Sequence, residues 1–297
     1  MKNYIDLHMH SKYSDDGEFT PKYLVEQCFQ AGIKVMAIAD HNSVKANKEG
    51  RQWAKELGIQ YINAIEIDCT YKNVNLHVLG YGIDDTNEAL IALEKNVYDQ
   101  EVASSNLKLE LTNQLGFNLT ADDLNQVSDN GVWTGEMFGE VLLDKSEYLD
   151  HPLLRPYRPG GIRDDNPFVN FYWDFYAQGK PCYTHMEFPS LERTIEIIHQ
   201  AKGVAVLAHP GNNLKGKYEL FDEMITLGID GVEAFSSYHS EEACEYFYQK
   251  TLNHSLLATS GSDFHGKTKP SIVLGGSKCT IDHDLTFAQL KEFGLIK

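Results

Sequence analysis

The chain is poor in positive charge and in cysteine. Its 297 residues include 26 Lys and Arg against 43 Asp and Glu, which gives a formal net charge of −17. Such a surface repels a long polyanion unless bound cations reverse the local field, so long nucleic acid is not an expected partner. The 5 cysteines are scattered and never form a Cys-x-x-Cys pair. This pattern argues against a disulfide framework or a zinc ribbon, and for reduced thiols in the cytoplasm.

Long apolar runs are also missing. No apolar stretch reaches the roughly 18 residues of a membrane helix, so no membrane association is expected. The first residues lack the basic segment followed by an apolar one that a secretory signal would show. The hydrophobic content of 42% and the charged content of 23% are typical of a globular protein. We therefore expect a cytoplasmic globular protein.

Short apolar runs alternate with helical patterns in both end portions of the chain. Seven of these runs predict strands, and the alternation of strand and helix predicts a parallel sheet, open or closed into a barrel. Residues 85–185 break the rhythm, with a long helix predicted over 88–116 and shorter helices after it. The sequence therefore predicts an α/β domain built from residues 1–84 and 186–297. A mainly helical insertion over 85–185 separates its fourth and fifth strands.

Nine His, Asp and Glu residues lie at or just after the C-terminal ends of the predicted strands, where α/β barrels place their chemistry. Residues two apart in a strand point the same way, so His8 and His10 project together, and Asp263 and His265 repeat this spacing. Six imidazoles and three carboxylates, with no thiolate, suit Mn, Fe, Co or Zn ions. Nine ligands are too many for one ion and suit three if one carboxylate bridges. The candidate metal ligands are His8, His10, Asp15, His41, Glu66, His77, His209, Asp263 and His265.

These residues lie in a series of motifs that resembles the PHP (polymerase and histidinol phosphatase) superfamily. The motifs, in family order, are Asp-Leu-His-Met-His, Ser-Asp-Asp-Gly, Ala-Asp-His-Asn, Ala-Ile-Glu-Ile, Asn-Leu-His-Val-Leu-Gly-Tyr, Leu-Ala-His-Pro-Gly and Gly-Ser-Asp-Phe-His. The resemblance implies a distorted (β/α)7 barrel with a centre of three divalent metal ions at its C-terminal face. It also implies metal-dependent phosphoester hydrolysis. The implied ligand sets are His8, His10, Glu66 and Asp263 for one ion, Glu66, His77 and His209 for a second, and Asp15, His41 and His265 for the third.

Phosphoryl transfer needs mainly positioning and charge neutralisation, and three dications supply both. Our hypothesis is an attack on phosphorus by a metal-bound hydroxide. Glu66 and Asp263 are the candidate catalytic residues: Glu66 is the bridging ligand, and Asp263 orients the nucleophile or moves its proton. Asp15 and Asp16 are adjacent, and the spacing from His10 favours Asp15.

A basic loop and one further histidine are candidates for substrate binding. Arg155 and Arg158 lie in a stretch rich in Pro and Gly, and guanidinium groups match phosphate oxygens in a bidentate fork. Because we expect the insertion to overhang the strand ends, these arginines are candidates for a second phosphate site. The alternative is a solvated loop that balances the acidic helices. His239 follows the sixth predicted strand at the same end and is a candidate substrate contact.

The stand-alone enzymes that the chain resembles include nucleoside 3′,5′-bisphosphate phosphatases, 5′→3′ oligonucleotide exonucleases and cyclic ribose-phosphate phosphoesterases. The Arg that the first two carry in a Thr-Arg-Gly-His stretch is missing from the corresponding Trp133-Thr134-Gly135-Glu136. Residues 84–150 contain 15 acidic and 3 basic residues, which also disfavours long nucleic acid. We therefore expect a small phosphorylated sugar or nucleotide of the cyclic ribose phosphate or nucleoside bisphosphate type. The alternatives are a 5′→3′ oligonucleotide exonuclease and a metallo-amidohydrolase that acts on no phosphate.

Overall fold

A computed structural model of the chain describes residues 3–128 and 131–297. These residues divide into two compact units. The first, here called the sheet unit, comprises the residues up to Glu94, Phe188–His265 and Ile272–Lys297. The second, the helical unit, comprises Lys95–Glu187 and Gly266–Ser271. All nine candidate metal ligands belong to the sheet unit.

The strands of the described residues form two sheets. One is parallel and has the order β1-β2-β3, with β1 at Ile5–Asp6, β2 at Val35–Met36 and β3 at Gln60–Tyr61. The other has the order β4-β5-β6-β7-β8, with β4 at Ala64–Tyr71, β5 at Val74–Tyr81, β6 at Val204–Leu207, β7 at Gly231–Ser236 and β8 at Leu257–Gly261. Isolated bridges pair Met9 with Phe264 and His41 with Glu66. The continuation of β1 therefore runs beside the segment that follows β8, and the continuation of β2 runs beside β4.

The prediction of a parallel sheet is wrong for part of the second sheet. β4 and β5 form an antiparallel hairpin, and β5 also runs antiparallel to β6, whereas β6, β7 and β8 are parallel. Only Lys72 and Asn73 separate β4 from β5, and their φ angles are 47° and 63°. A parallel pair needs a crossover of about a dozen residues, whereas a two-residue turn with positive φ at both positions joins antiparallel strands. The α/β class is confirmed, and the two sheets of the described residues form no closed barrel.

Helices flank the strands of the sheet unit and dominate the helical unit. The bounds are α1 Pro21–Ala31, α2 Ala46–Leu57, α3 Glu88–Gln114, α4 Ala121–Asn125, α5 Gly135–Asp144, α6 Pro167–Phe175, α7 Leu191–Gln200, α8 Pro210–Asn213, α9 Leu220–Thr226, α10 Glu241–His254 and α11 His283–Glu292. The long helix predicted over 88–116 is confirmed as α3. Within the described ranges, no helix has the combined length and apolar character needed to cross a membrane.

Each unit has its own apolar core. In the sheet unit, one fully buried cluster includes Leu7, Ala39, Leu79 and Val206. These residues lie in or next to the strands that carry the candidate ligands. In the helical unit a separate cluster forms around Phe138. Close packing on both sides of a strand limits the motion of the residues that follow it. The core of the sheet unit therefore fixes the positions from which the polar residues of the site project.

Candidate metal centre

The centre of the site is Glu66, a buried residue of β4. Its Oε2 lies 2.9 Å from Nε2 of His8 and 3.1 Å from Nε2 of His10. Asp263 completes this group from the segment after β8, with its Oδ1 3.3 Å from Nε2 of His8 and 3.0 Å from Nε2 of His10. All four side chains are almost completely removed from solvent. Two imidazole nitrogens and two carboxylate oxygens therefore converge on one buried point.

The second oxygen of the same carboxylate faces a different pair of histidines. Oε1 of Glu66 lies 3.1 Å from Nδ1 of His77 and 3.0 Å from Nε2 of His209. His77 comes from β5, the antiparallel partner of β4, and His209 follows β6, which pairs with β5. The hairpin that sequence analysis did not foresee is thus what brings these two imidazoles to Glu66.

A third group gathers around Asp16. Its Oδ2 lies 3.0 Å from Nε2 of His265 and 3.9 Å from Nε2 of His41. Potential ligand atoms of His10, Asp16, His41 and His265 all lie within 4.8 Å of one another. Among the described residues, Asp16 and not Asp15 belongs to such a group, so we replace Asp15 by Asp16 as the candidate ligand. Residues 11–17 form a turn, in which the alternation of a strand gives no guide to side-chain direction.

The spacing of the donor atoms fits divalent cations. Atoms bound to one ion at about 2.0–2.1 Å lie about 3.4 Å apart in a tetrahedral site and about 2.9 Å apart in an octahedral one. The contacts among His8, His10, Glu66 and Asp263 span 2.9–3.3 Å. The Nε2 atoms of His8 and His10 are themselves 3.1 Å apart, so both could bind one cation once they have lost their protons. A mixed set of nitrogen and oxygen donors is the set that Mn, Fe, Co and Zn ions prefer.

In three of the candidate ligand histidines, the ring nitrogen that faces away from the centre makes a hydrogen bond within the protein. The Nε2–H of His77 donates to Oδ1 of Asp68 at 2.9 Å. The Nδ1–H of His265 donates to the main-chain carbonyl of Asp263 at 2.8 Å, and that of His8 donates to Oε1 of Glu233 at 3.0 Å. Such partners fix the tautomer and the orientation of a metal-binding imidazole.

Sequence analysis missed three residues of this surrounding layer. Asp68 lies two residues after Glu66 in β4, and this spacing places both on one face. Glu233 is the single charged residue of β7, between apolar neighbours, and this pattern indicates a buried polar role. Tyr238 donates its hydroxyl to Oδ2 of Asp263 at 2.6 Å. No sequence pattern distinguishes it from the many other aromatic residues of the chain.

The ionisable groups of the centre shift one another's pKa values. Burial alone would raise the pKa of Glu66, but the surrounding histidines outweigh it and hold that pKa well below its usual range. Burial alone would lower the pKa of His10, but Asp263 and Glu66 raise it to about 9. Burial alone would also lower the pKa of His77, but Asp68 and Glu66 raise it to about 10, and Asp68 has the larger effect of the two. Near neutral pH these imidazoles therefore hold protons that a binding cation displaces.

Left-handed backbone conformations cluster at the site. His209 has φ 24°, Asp263 has φ 60°, and Asn42, next to His41, has φ 53°. A non-glycine residue in this region costs about 1–3 kcal/mol and persists only where its surroundings impose it. Two of the candidate ligands are thus held in conformations that the local sequence alone does not favour.

His239, a predicted substrate contact, has a structural role instead. Its side chain is buried. Its Nδ1–H donates to the carbonyl of Ala234 at 2.9 Å, and its Nε2 accepts the N–H of Gly211 at 3.0 Å. Both ring nitrogens are therefore engaged within the protein. The strand-end position was visible in the sequence, but the partners of the ring were not.

The two predicted phosphate-binding arginines lie in the helical unit. Arg158 is partly buried and donates to the main-chain carbonyls of Leu143 at 3.0 Å and Tyr148 at 3.1 Å. Part of its guanidinium is thus committed to holding the turn that follows α5. Arg155 is exposed. Its contact with a second phosphate stays a prediction.

Comparisons with known proteins agree with this geometry. The family model of the PHP domain matches residues 6–141. The chain is 29% identical over 266 residues to a 3′,5′-nucleoside bisphosphate phosphatase of Chromobacterium violaceum, covering 88% of this chain and 87% of that protein. It is 25% identical over 264 residues to a phosphoribosyl 1,2-cyclic phosphate 1,2-diphosphodiesterase of Eggerthella lenta, covering 88% and 94%. It is 27% identical over 263 residues to a 5′-3′ exoribonuclease of Haemophilus influenzae, covering 88% and 89%.

Two solved structures share the fold. One, from Bifidobacterium adolescentis, is assigned as a metal-dependent phosphoesterase; it superposes with a TM-score of 0.78 at 27% identity, covering 97% of this chain and 95% of that one. The other, from Chromobacterium violaceum, is described as an amidohydrolase with bound sulfate and no metal; its TM-score is 0.77 at 25% identity, with 96% of each chain covered.

Proposed function

We propose that this chain, whose residues 6–141 match the family model of the PHP domain, is a metal-dependent phosphoesterase that hydrolyses a small phosphorylated sugar or nucleotide. The observation that carries the proposal is the two-sided environment of one buried carboxylate. Oε2 of Glu66 faces His8 and His10, while Oε1 faces His77 and His209. A carboxylate so placed could supply a ligand to each of two cations, which together would provide the chemistry of a two-metal hydrolytic site.

The proposed centre takes three divalent ions. The ligand sets are His8, His10, Glu66 and Asp263 for the first ion, Glu66, His77 and His209 for the second, and Asp16, His41 and His265 for the third. The structure contains three groups of donor atoms, which supports three ions: His8, His10, Glu66 and Asp263; His41, Glu66 and His77; and His10, Asp16, His41 and His265. His209 is assigned to the second ion because its Nε2 lies 3.0 Å from Oε1 of Glu66. Manganese, iron and zinc are the ions that such ligands suit.

The ions, when bound, supply a nucleophile at neutral pH and neutralise charge that develops on the phosphoryl oxygens. The residues of the chain hold the reacting groups in place. The hydroxyl of Tyr238 donates to Oδ2 of Asp263, which leaves Oδ1 directed at His8 and His10. Oδ2 of Asp263 is the atom that we propose to accept the proton of the attacking water, with Tyr238 keeping the carboxylate in one rotamer.

The charge of the chain supports a small substrate. The net charge of −17 opposes the approach of a long polyanion, whereas a small phosphate ester carries only a few charges. Two of the relatives are named for small phosphate esters, one a nucleoside bisphosphate and the other a cyclic ribose phosphate. We therefore propose a substrate of one of these two types. Because one relative is named as a 5′-3′ exoribonuclease, the alternative substrate is an oligonucleotide.

A turnover screen of the metal-loaded protein tests the proposal. The panel contains sugar and nucleotide monophosphates, nucleoside 3′,5′-bisphosphates, cyclic ribose phosphates, short oligonucleotides and simple amides. We expect the highest kcat/KM on a bisphosphate or a cyclic phosphate, and its loss in the Glu66→Gln variant. Faster cleavage of oligonucleotides would favour the exonuclease. Hydrolysis of amides with every phosphate ester intact would refute the phosphoesterase.

A further inference from the structure

Glu233 of β7 contacts two candidate ligands that belong to different ions. Its side chain is completely buried. Oε1 accepts the Nδ1–H of His8 at 3.0 Å, and Oε2 accepts the main-chain N–H of His209 at 2.9 Å. We propose that Glu233 is a positioning residue. It holds the imidazole of His8, a candidate ligand of the first ion, and the main chain of His209, a candidate ligand of the second ion. This inference rests on the proposed function, because it takes His8 and His209 to be ligands.

The contact with His8 selects one state of the imidazole. In the neutral imidazole, an Nδ1–H that donates to a buried carboxylate leaves Nε2 as the nitrogen without a proton, with its lone pair available to a cation. That Nε2 is the atom which lies 2.9 Å from Oε2 of Glu66 and 3.3 Å from Oδ1 of Asp263. No solvent reaches Glu233 or His8 to compete for this hydrogen bond. The carboxylate therefore holds His8 in the tautomer that a cation requires.

The contact with His209 fixes a strained stretch of backbone. His209 has φ 24° and ψ 56°, and its main-chain N–H points to Oε2 of Glu233. Two residues further on, the N–H of Gly211 is held by Nε2 of His239. The imidazole of His209 then projects so that its Nε2 lies 3.0 Å from Oε1 of Glu66. Without the carboxylate, a charge-assisted hydrogen bond that compensates the strain is lost.

The neighbouring strand is shaped to admit this contact. Gly261 is the last residue of β8, and a Cβ there would lie 2.2 Å from Cβ of His8 and 2.3 Å from Oε1 of Glu233. Any side chain at position 261 would therefore clash with both His8 and Glu233 and would disturb the hydrogen bond between them. The register between β7 and β8 also shifts between Glu233 and Phe235. The close approach of Glu233 to His8 thus depends on the glycine at the end of β8 and on the irregular pairing of β7 with β8.

A glutamine at position 233 separates the two contacts without changing the shape of the side chain. It has one acceptor oxygen, so it can accept either from His8 or from the N–H of His209, and its amide N–H group repels the other donor. Asp230 offers a control for the loss of one carboxylate charge, because both of its hydrogen bonds end on one oxygen and the amide oxygen of an asparagine can keep them. Its Oδ2 accepts from the ring of His199 at 2.7 Å and from the N–H of Ala205 at 2.8 Å, the same two kinds of partner. Neither partner is a candidate metal ligand.

The test measures binding of Zn²⁺ and Mn²⁺ by isothermal titration and metal content after dialysis at a fixed free concentration. For Glu233→Gln we expect a loss of about 10- to 100-fold in affinity for two ions, the range typical of the outer partners of metal-bound histidines. Affinity for the third ion, held by Asp16, His41 and His265, should stay at the wild-type value. Asp230→Asn should bind all ions as the wild type does. Unfolding of the metal-free variants by heat, followed by circular dichroism, separates a binding defect from a folding defect.

A second measurement needs no variant. Nitrogen-15 NMR of histidine-labelled, zinc-loaded wild-type protein reports which ring nitrogen of His8 carries the proton, and we expect Nδ1. A proton on Nε2, or wild-type affinity for every ion in Glu233→Gln, would overturn the inference. If the wild type itself takes up no ion, the proposed function and this inference fall together. Equal uptake by the wild type and Glu233→Gln would overturn the inference alone.

Discussion

Two adjacent acids, Asp15 and Asp16, should differ in their importance for metal binding. Replacing Asp16 should remove one ion, whereas replacing Asp15 should remove none. Oδ2 of Asp16 lies 3.0 Å from Nε2 of His265, and Oδ1 accepts the hydroxyl of Ser14 at 2.7 Å. In Asp16→Asn the amide oxygen can still accept from Ser14, so the turn keeps its hydrogen bond. The anionic ligand of the third ion is lost. Asp15→Asn changes the formal charge by the same amount one residue away and serves as the control.

The expected size of the effect follows from the composition of this group. Asp16 is the one carboxylate in the ligand set proposed for the third ion, so the variant leaves that cation with the imidazoles of His41 and His265. Loss of an outer hydrogen-bond partner already costs a metal site about 10- to 100-fold in affinity. Loss of a direct anionic ligand should cost at least the upper end, about 100-fold or about 2.8 kcal/mol.

Equilibrium dialysis against buffered free Zn²⁺ or Mn²⁺, followed by elemental analysis, measures this loss directly. At a free concentration about ten times the wild-type dissociation constant of the third site, an affinity loss of about 100-fold leaves Asp16→Asn with close to one ion fewer per chain, whereas Asp15→Asn should hold the wild-type number. If Asp15→Asn loses the ion and Asp16→Asn keeps it, the assignment of the third ligand set is wrong.

Two further predictions concern stability. The pKa values of His10 and His77, raised to about 9 and about 10 from an ordinary value near 6.5, mean that both imidazolium groups stabilise the metal-free fold fully below about pH 6.5. The Tm of chelator-treated protein should therefore fall as the pH rises from about 6.5 to about 10, and a flat profile would contradict these pKa shifts. Gly261→Ala places a Cβ 2.2 Å from that of His8 and should lower the free energy of unfolding by about 1–3 kcal/mol in urea titrations. Gly80→Ala, whose Cβ would come no closer than 3.1 Å to a neighbouring side chain, should cost less, and the reverse order would count against the packing described here.

The convergence of the candidate ligands could be anticipated from the sequence because it depends on regular structure. Residues two apart in a strand share a face, and polar residues after buried strands meet at one edge of a sheet. On these grounds His8, His10, Asp263 and His265 were expected together, and the structure brings them together. The convergence does not depend on whether the strands close into a barrel.

The features that sequence analysis missed depend on irregular backbone or on partners distant in the chain. The spacing from His10 favours Asp15, but residues 11–17 form a turn in which no periodicity applies, and the turn places Asp16 beside His265. The antiparallel direction of β5 follows from a two-residue turn at Lys72 and Asn73, between strands that had been predicted as parallel. The roles of His239 and Glu233 are set by hydrogen bonds to Gly211, His8 and His209, whose proximity only the fold creates.

The central claim is that Glu66 and the imidazoles around it form one polynuclear metal centre. Anomalous diffraction at the manganese edge, from crystals grown with Mn²⁺, tests this most directly. We predict peaks on both sides of the Glu66 carboxylate, each about 2.0–2.3 Å from its ligand atoms, and a third peak beside Asp16. Anomalous peaks confined to the protein surface, with none within bonding distance of Glu66 at saturating Mn²⁺, would contradict the account.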